Sequence, residues 1–250
     1  MSAVIQILPL LCGRIEAPAR LMEAGGEGML DFPVWAFLIS HPTRGQALFD
    51  TGMHPADGGK LRFEHYRFHV PPGQDIAAQL EASGIAAGEM KTVVLSHIHS
   101  DHAGGVALLP NARIILNRLE EETAARSSPT YRYVNHGHDK LLIDGDHDLF
   151  GDGSVEVLAT PGHTCGHQSL RVRRFDRADV LAGDACYFCR SLARDDADQP
   201  SADDPELYLA TKRRLRAMQA AGDFVVPGHD AAFLDQVPAE SGVVRIPAAS

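Results

Sequence analysis

The chain is 250 residues long, 44% hydrophobic and 22% charged, with a formal net charge of −10. That length suffices for a substantial core, and the acidic balance argues against binding a nucleic-acid backbone as the main task. No apolar run is long enough to span a bilayer, so neither a nucleic acid nor a membrane is an expected partner; the chain is expected to act as a monomer or homodimer.

In chain order, the apolar stretch Val4 to Cys12 lacks the basic flank and small-residue cleavage site of a signal peptide, and is expected to be a first strand over 3–11. The cysteines Cys12, Cys165, Cys186 and Cys189 are too few and too scattered for a disulfide scaffold. They suit the reduced thiols of a cytoplasmic protein. Residues 33–40 read as a second strand and Ala47-Leu48-Phe49 as a third, ending in Asp50-Thr51-Gly52. An aspartic-protease reading of that tripeptide fails for want of a second copy. Asp50 is then either a turn aspartate or an acceptor that steadies a ligand-bearing loop. Residues 53–73 show no clear periodicity and carry His54, Phe63, His65, Tyr66, Phe68 and His69. A loop of that length is a lid, a pocket wall or a partner contact, unless its aromatics simply tuck into the core. A helix opens at Asp75 and closes at Gly84.

The run Thr92-Val93-Val94-Leu95 leads into Ser96-His97-Ile98-His99-Ser100-Asp101-His102. On a strand tip, His97 and His99 point to one face, and Asp101 and His102 follow from the turn. Four nitrogen and oxygen donors at this spacing point to a metal site rather than a solvated turn, and the layout can serve two neighbouring ions. A short helix over Val106–Leu109, a strand at 112–116, a polar helix at 118–126 and a loop at 127–140 are expected next. His136 and His138, with no further donor nearby, read as surface or supporting residues. Asp144 to Asp148 resembles the opening of a calcium loop, but Leu149 and Val155 stand where a glycine and a glutamate are required.

Strand 154–159 ends at Thr160-Pro161-Gly162-His163, and strand 168–173 follows. Val180-Leu181-Ala182 ends at Gly183-Asp184. An amphipathic helix spans Pro205 to Ala221, with Leu207, Leu215 and Met218 expected in the core. Phe224-Val225-Val226 ends at Pro227-Gly228-His229. Metal-type residues therefore sit at four separate strand tips, as expected of an active site on one rim of an α/β scaffold.

His97-x-His99-x-Asp101-His102, followed by His163, Asp184 and His229, resembles the ligand set of the metallo-β-lactamase superfamily. The resemblance runs from Asp50-Thr51-Gly52 to Gly228-His229. It implies a four-layer αββα sandwich formed by the chain as a single domain over 1–250. It also implies one metal held by His97, His99 and His163, a second by Asp101, His102 and His229, and Asp184 between them. Within the superfamily the chain looks most similar to N-acyl-homoserine lactone lactonases, through Phe32-Pro33-Val34-Trp35, Phe49-Asp50-Thr51-Gly52-Met53, His102-Ala103-Gly104-Gly105, Gly166-His167-Gln168-Ser169-Leu170 and Asp184-Ala185-Cys186-Tyr187. In those enzymes a tyrosine three residues beyond the bridging aspartate contacts the substrate carbonyl, and Tyr187 matches it.

The resemblance implies attack on the lactone carbonyl by a hydroxide bridging two divalent ions. Zinc suits the ligands best, while iron, cobalt or manganese also fit. Tyr187 would donate to the oxyanion, and Asp101 or Asp184 would return the proton. The alternative is another lactone or ester hydrolase, or a glyoxalase-type thioesterase, of the same superfamily. The thioesterase grips glutathione with a helical C-terminal region, for which the expected tail after His229 leaves no room.

Overall fold

The computed structural model describes residues 4–62, 65–128, 131–174 and 177–232. Two long antiparallel strands, β1 (Gln6–Pro18) and β2 (Met29–His41), dominate the first sheet, each longer than the sequence suggests. Strand β1 continues past the apolar run because it carries a bulge between Leu11 and Arg14. Gly13 sits there at φ +119°, a conformation open to glycine, and it lies against Met53 and the carbonyl of His69. Beyond the bulge Ile15 and Ala17 are buried in alternation with half-buried Arg14 and Glu16, the signature of a strand with one covered face.

The sheet extends on one side through β3 (Gly45–Phe49), β6 (Thr92–Val94), β7 (Arg113–Asn117) and β8 (Lys140–Ile143). On the other side lie β5 (Tyr66–His69) and β4 (Leu61–Arg62). The stretch 53–73 is thus less irregular than its sequence suggests. It holds a 3₁₀ turn at Pro55–Asp57 and a short hairpin whose second strand pairs with β1 from Arg14 to Glu16.

The second sheet has the order β13-β12-β11-β10-β9, built from β9 (His147–Asp148), β10 (Val155–Ala159), β11 (Gln168–Arg173), β12 (Ala178–Leu181) and β13 (Phe224–Val226). Between the sheets, Trp35, Phe37, Phe49 and Ile115 meet Val157, Leu170, Leu181 and Val226. The outer face of the first sheet is covered by α2 (Ile76–Ala82) through Ile76 and Leu80, α4 (Arg118–Ser127) through Ala124, and α5 (Tyr131–Val134) through Val134. The outer face of the second is covered by α6 (Pro205–Ala220), whose Leu215 packs with Leu158, Val180 and Val225. The architecture is the expected four-layer αββα sandwich. Two short helices complete it, α1 (Ala19–Met22) and α3 (Ser100–Ala103). No helix among the described residues is long and apolar enough to cross a membrane.

Three local expectations change. Helix begins directly in the histidine cluster at α3 and passes into a 3₁₀ turn at Gly104–Leu108, rather than starting at Val106. Within 127–140, residues Tyr131–Val134 form α5. Leu207 is 44% exposed, and Tyr208, Thr211, Lys212 and Leu215 make the covered face of α6. Leu215 and Met218 pack in the core as expected, and only Leu207 was misplaced, since a buried lysine and threonine belong to the covered face.

What the fold does for the site is direct. Strand β6 is parallel to β3, and β13 is parallel to β12. Strand β10 runs antiparallel to β11, which is antiparallel to β12, so β10 and β12 point the same way. The C-terminal tips that precede His97, His163, Asp184 and His229 therefore open on one rim. Gly104 and Gly105 let the turn after His102 press against 51–54. A Cβ on Gly105 would lie 2.3 Å from the Thr51 carbonyl oxygen and 2.7 Å from Ile76 Cγ2.

Gly105→Ala is expected to cost about 1–3 kcal/mol by overpacking. Gly88→Ala, whose Cβ meets its nearest atom at 3.5 Å, is expected to stay within roughly 0.5 kcal/mol of the parent. Urea unfolding of the two variants checks this, and equal midpoints would contradict it.

Candidate metal centre

Asp50, at the tip of β3, organises the loop that carries the first histidines. Its φ of +62° is the only positive value for a non-glycine among the described residues, in a region aspartate tolerates better than most. Its Oδ1 accepts from the Ser96 amide at 2.7 Å and its Oδ2 from the Ser96 hydroxyl at 2.8 Å. The same Oδ2 lies 2.8 Å from His102 Nδ1. With its proton given to Asp50, Ser96 Oγ accepts from His97 Nδ1 at 2.9 Å. One buried carboxylate thus sets the tautomer of two imidazoles, leaving both Nε2 atoms facing inward. Of the two readings of Asp50, the structure gives the acceptor. Thr51 adds its amide and its hydroxyl to the His102 carbonyl, each at 2.8 Å.

All seven residues singled out in the sequence meet at the rim, in two groups. In the first, His97, His99, His163 and Asp184 offer ligand atoms within 4.8 Å of one another, and in the second Asp101, His102 and His229 do the same. Asp184 lies between the groups. Its Oδ2 is 3.2 Å from His163 Nε2 and 3.6 Å from His97 Nε2. Its Oδ1 is 3.1 Å from both His102 Nε2 and His229 Nε2. Asp101 Oδ2 stands 3.5 Å from His102 Nε2 and 3.6 Å from His229 Nε2. His99 turns Nδ1 inward, 3.1 Å from His163 Nε2. The outer nitrogens of the last two imidazoles are also held, His229 Nδ1 by the Pro33 carbonyl at 2.9 Å and His163 Nδ1 by Gln199 Oε1 at 2.9 Å.

The electrostatics separate the two groups. Burial, reinforced by His102 and His99, holds His97 well below the usual imidazole range. Burial likewise brings His163 to about 4, against the pull of Asp184. Both present neutral lone pairs at neutral pH. For His102 and His229 burial is the largest influence and acts downward, but the carboxylates around them, Asp184 foremost with Asp101 and, for His102, Asp50, together outweigh it and raise both. Burial opposes ionisation of Asp184 and Asp101, yet His102 and its neighbours hold Asp184 well below the carboxylate range and Asp101 at about 2. The paired carboxylates therefore require positive charge beside them, from imidazole protons or from a cation.

The donor set fits a cation. His97 Nε2, His102 Nε2 and Asp184 Oδ1 are buried without a hydrogen-bond partner. An orphaned atom such as His97 Nε2 costs about 1–3 kcal/mol, a cost that coordination removes. Imidazole and carboxylate ligands suit divalent ions of the zinc type.

A cavity of about 430 Å³ opens onto this rim. Met22, Phe32, Tyr66 and Phe68 line one side of it, with Tyr66 and Phe68 coming from the 53–73 stretch. Tyr187 stands at its base, 5% exposed, its ring edge-on to His163 and His229. Burial, then the charge of Asp184, raises its phenol well above the ordinary value, so it keeps its proton.

Three supporting residues escaped the sequence reading. Glu120, buried on α4, accepts from the Ile98 amide at 2.9 Å and from the Gly166 amide at 3.2 Å, joining the two histidine loops. His167 Nε2 accepts from the Asp184 amide at 3.1 Å, and its Nδ1 meets Thr160 Oγ1 at 2.9 Å. Gln199 is the third. No motif marks Glu120 or Gln199, and His167 stood in the Gly166–Leu170 motif with no role assigned to it. His136 and His138 stay outside both groups, and His138 Nε2 instead bonds the Leu109 carbonyl.

Comparison with known proteins agrees with this geometry. The profile of the metallo-beta-lactamase superfamily matches residues 29–229. An N-acyl homoserine lactonase of Bacillus thuringiensis is 29% identical over 212 residues, covering 81% of this chain and 83% of that protein. The N-acyl homoserine lactonase AttM of Rhizobium radiobacter is 32% identical over 186 residues, covering 66% and 70%. Among solved structures, a quorum-quenching N-acyl homoserine lactone hydrolase superposes with a TM-score of 0.82 at 25% identity, covering 95% of this chain and 98% of that one. A structure of such a hydrolase with N-hexanoyl-L-homoserine bound at its catalytic metal center superposes at 0.81, with 25% identity and 94% and 96% coverage.

Asp50→Asn keeps the shape but places an amide N–H against one of the three donors. Divalent-ion affinity is expected to fall about 10- to 100-fold, with the far-UV spectrum unchanged. Chelator competition reads this, and unchanged affinity would contradict it.

Proposed function

The chain belongs to the metallo-beta-lactamase superfamily and is a metal-dependent hydrolase, and we propose that it opens the lactone ring of N-acyl-homoserine lactones. The observation that carries this reading is Asp184 set between two complete donor groups, with Tyr187 beside them at the base of a largely apolar cavity. We assign His97, His99 and His163 to one ion, Asp101, His102 and His229 to the other, and Asp184 to both. Two divalent cations held there would polarise the scissile carbonyl and lower the pKa of a water between them.

The chain's own groups supply the rest. Tyr187, protonated and aimed at the rim, donates to the carbonyl oxygen as it gains charge. The water oxygen bonds to the carbonyl carbon and the ring C–O bond breaks. One proton of the water passes to the ring oxygen, giving a hydroxyl, and the other is released to solvent from the new carboxyl group, giving a carboxylate. Asp101 is the better carrier for the proton that reaches the ring oxygen. Its side chain keeps 14% exposure beside the cavity, whereas the Asp184 carboxylate, 3% exposed, has its oxygens turned to four imidazoles.

The cavity walls favour a neutral, partly apolar substrate. Ile15, Met22, Phe32 and Phe68 suit an acyl chain. The acidic residues lining it among the described residues are Asp101, Glu120, Asp184 and Asp203, and neither lysine nor arginine joins them there. Such walls oppose the anionic glutathione moiety of a thioester and favour departure of the carboxylate product. The free thiols of Cys12, Cys165, Cys186 and Cys189 suit a cytoplasmic setting.

Turnover on short- and long-chain acyl-homoserine lactones, a plain γ-lactone and a glutathione thioester tests the reading. Acyl-homoserine lactones are expected to give the highest kcat/KM. Tyr187→Phe is expected to keep its metal content and lose about 100-fold in kcat. Preference for the thioester would overturn the substrate, and undiminished turnover in Tyr187→Phe would remove that hydroxyl from the chemistry.

A further inference from the structure

The segment 196–204, between β12 and α6, contains no residue that the donor groups use, yet it touches them repeatedly. Gln199, 3% exposed, accepts from His163 Nδ1 through Oε1 at 2.9 Å and donates from Nε2 to the Asp184 carbonyl at 2.5 Å. Only this amide orientation satisfies both partners, since the carbonyl can only accept. It follows that His163 carries its proton on Nδ1 and turns a lone pair on Nε2 toward Asp184 and His99. The Asp203 amide donates to the His163 carbonyl at 3.1 Å, and the Asp204 amide to the Gly162 carbonyl at 3.0 Å. Ser201 Oγ lies 3.4 Å from the Tyr187 hydroxyl.

The segment is fastened from behind. Lys212 and Asp198 are each 1% exposed, and Lys212 Nζ lies 2.5 Å from Asp198 Oδ1. The same ammonium donates to the Asp196 carbonyl at 3.0 Å. Tyr208, fully buried, donates to Asp198 Oδ1 at 3.3 Å. The Ala24 amide donates to the Asp198 carbonyl at 2.8 Å. A buried ion pair is a poor source of net stability but a strict constraint on geometry, because neither charge tolerates losing the other. Here the constraint falls on the residue next to Gln199.

We propose that 196–204 is a positioning strap. In it Gln199 fixes the His163 ring and the Asp184 backbone, and the ion pair between Lys212 of α6 and Asp198 of the strap holds Gln199 in register. The strap joins donors that leave two different strands, β10 and β12, so one side chain sets the distance between them. Gln199 and Lys212 are positioning residues, acting through His163 and Asp184. The inference rests on the metal-centre reading above.

The test is chelator competition on zinc-loaded protein, with cobalt(II) absorption spectra, for the parent, Gln199→Leu, Gln199→Glu and Lys212→Met. Gln199→Leu is expected to weaken binding about 10- to 100-fold and to shift the cobalt bands. Gln199→Glu, which still accepts from His163 but has no donor for the Asp184 carbonyl, is expected to regain only part of that affinity. Lys212→Met is expected to shift the bands in the same direction. In the zinc-loaded parent, ¹⁵N-edited NMR is expected to show a slowly exchanging proton on His163 Nδ1, a readout independent of whether any variant folds. Parent-like affinity and spectra in Gln199→Leu, or an Nδ1 of His163 without that proton, would overturn the strap. Parent-like bands in Lys212→Met would remove the α6 clamp. A parent that binds no divalent ion would instead refute the metal-centre reading.

Discussion

Asp184 is ionised at 2% exposure, and its close charged partners among the described residues are all imidazoles. A buried carboxylate in that position is tolerable only if positive charge is brought to both of its oxygens. His102 and His229 answer on one side by holding protons more tightly than usual. His97 and His163 cannot answer so on the other, because burial strips them of their protons. The His97 and His163 side of the carboxylate is thus left for a divalent cation to balance, and the surrounding structure keeps the donors in place for it.

That service is performed mostly by groups that bind nothing themselves. Asp50 reaches His97 through Ser96 and His102 directly. Glu120 ties the loop of His97 to the loop of His163, and His167 holds the amide of Asp184. Pro33, on the long strand β2, fixes His229 from the other side of the sandwich. Each contact is a hydrogen bond of ordinary length. Their combined effect is that ring orientation and tautomer are set before any ion arrives, which is how outer contacts raise metal affinity.

The sequence carries the donors more plainly than the supports. His97, His99, Asp101 and His102 are adjacent, and the period of two at a strand end makes their common direction readable. His163, Asp184 and His229 follow apolar runs short enough to be strands, so the rim itself was legible. The layer architecture followed from those residues through the resemblance they carry, and the face-to-face packing of Phe37 and Ile115 against Leu170 and Val226 bears it out. Local pattern was a poorer guide wherever tertiary contact decides. Strand β1 passes through a glycine bulge that looks like a stop, and the 53–73 stretch gains its strands by pairing with β1. Leu207 faces solvent, while Lys212, paired with Asp198, lies on the covered side of α6. Glu120 and Gln199 read as ordinary polar residues, since their partners lie 22 and 36 residues away in the chain.

The claim on which the account rests is that Asp184 lies between two cations. Anomalous diffraction from zinc-loaded crystals at the zinc absorption edge tests it most directly. The account predicts two separate anomalous peaks at full occupancy, one among His97, His99 and His163 and one among Asp101, His102 and His229, with a carboxylate oxygen of Asp184 next to each. A single peak, or two peaks with Asp184 turned away from either, would contradict it.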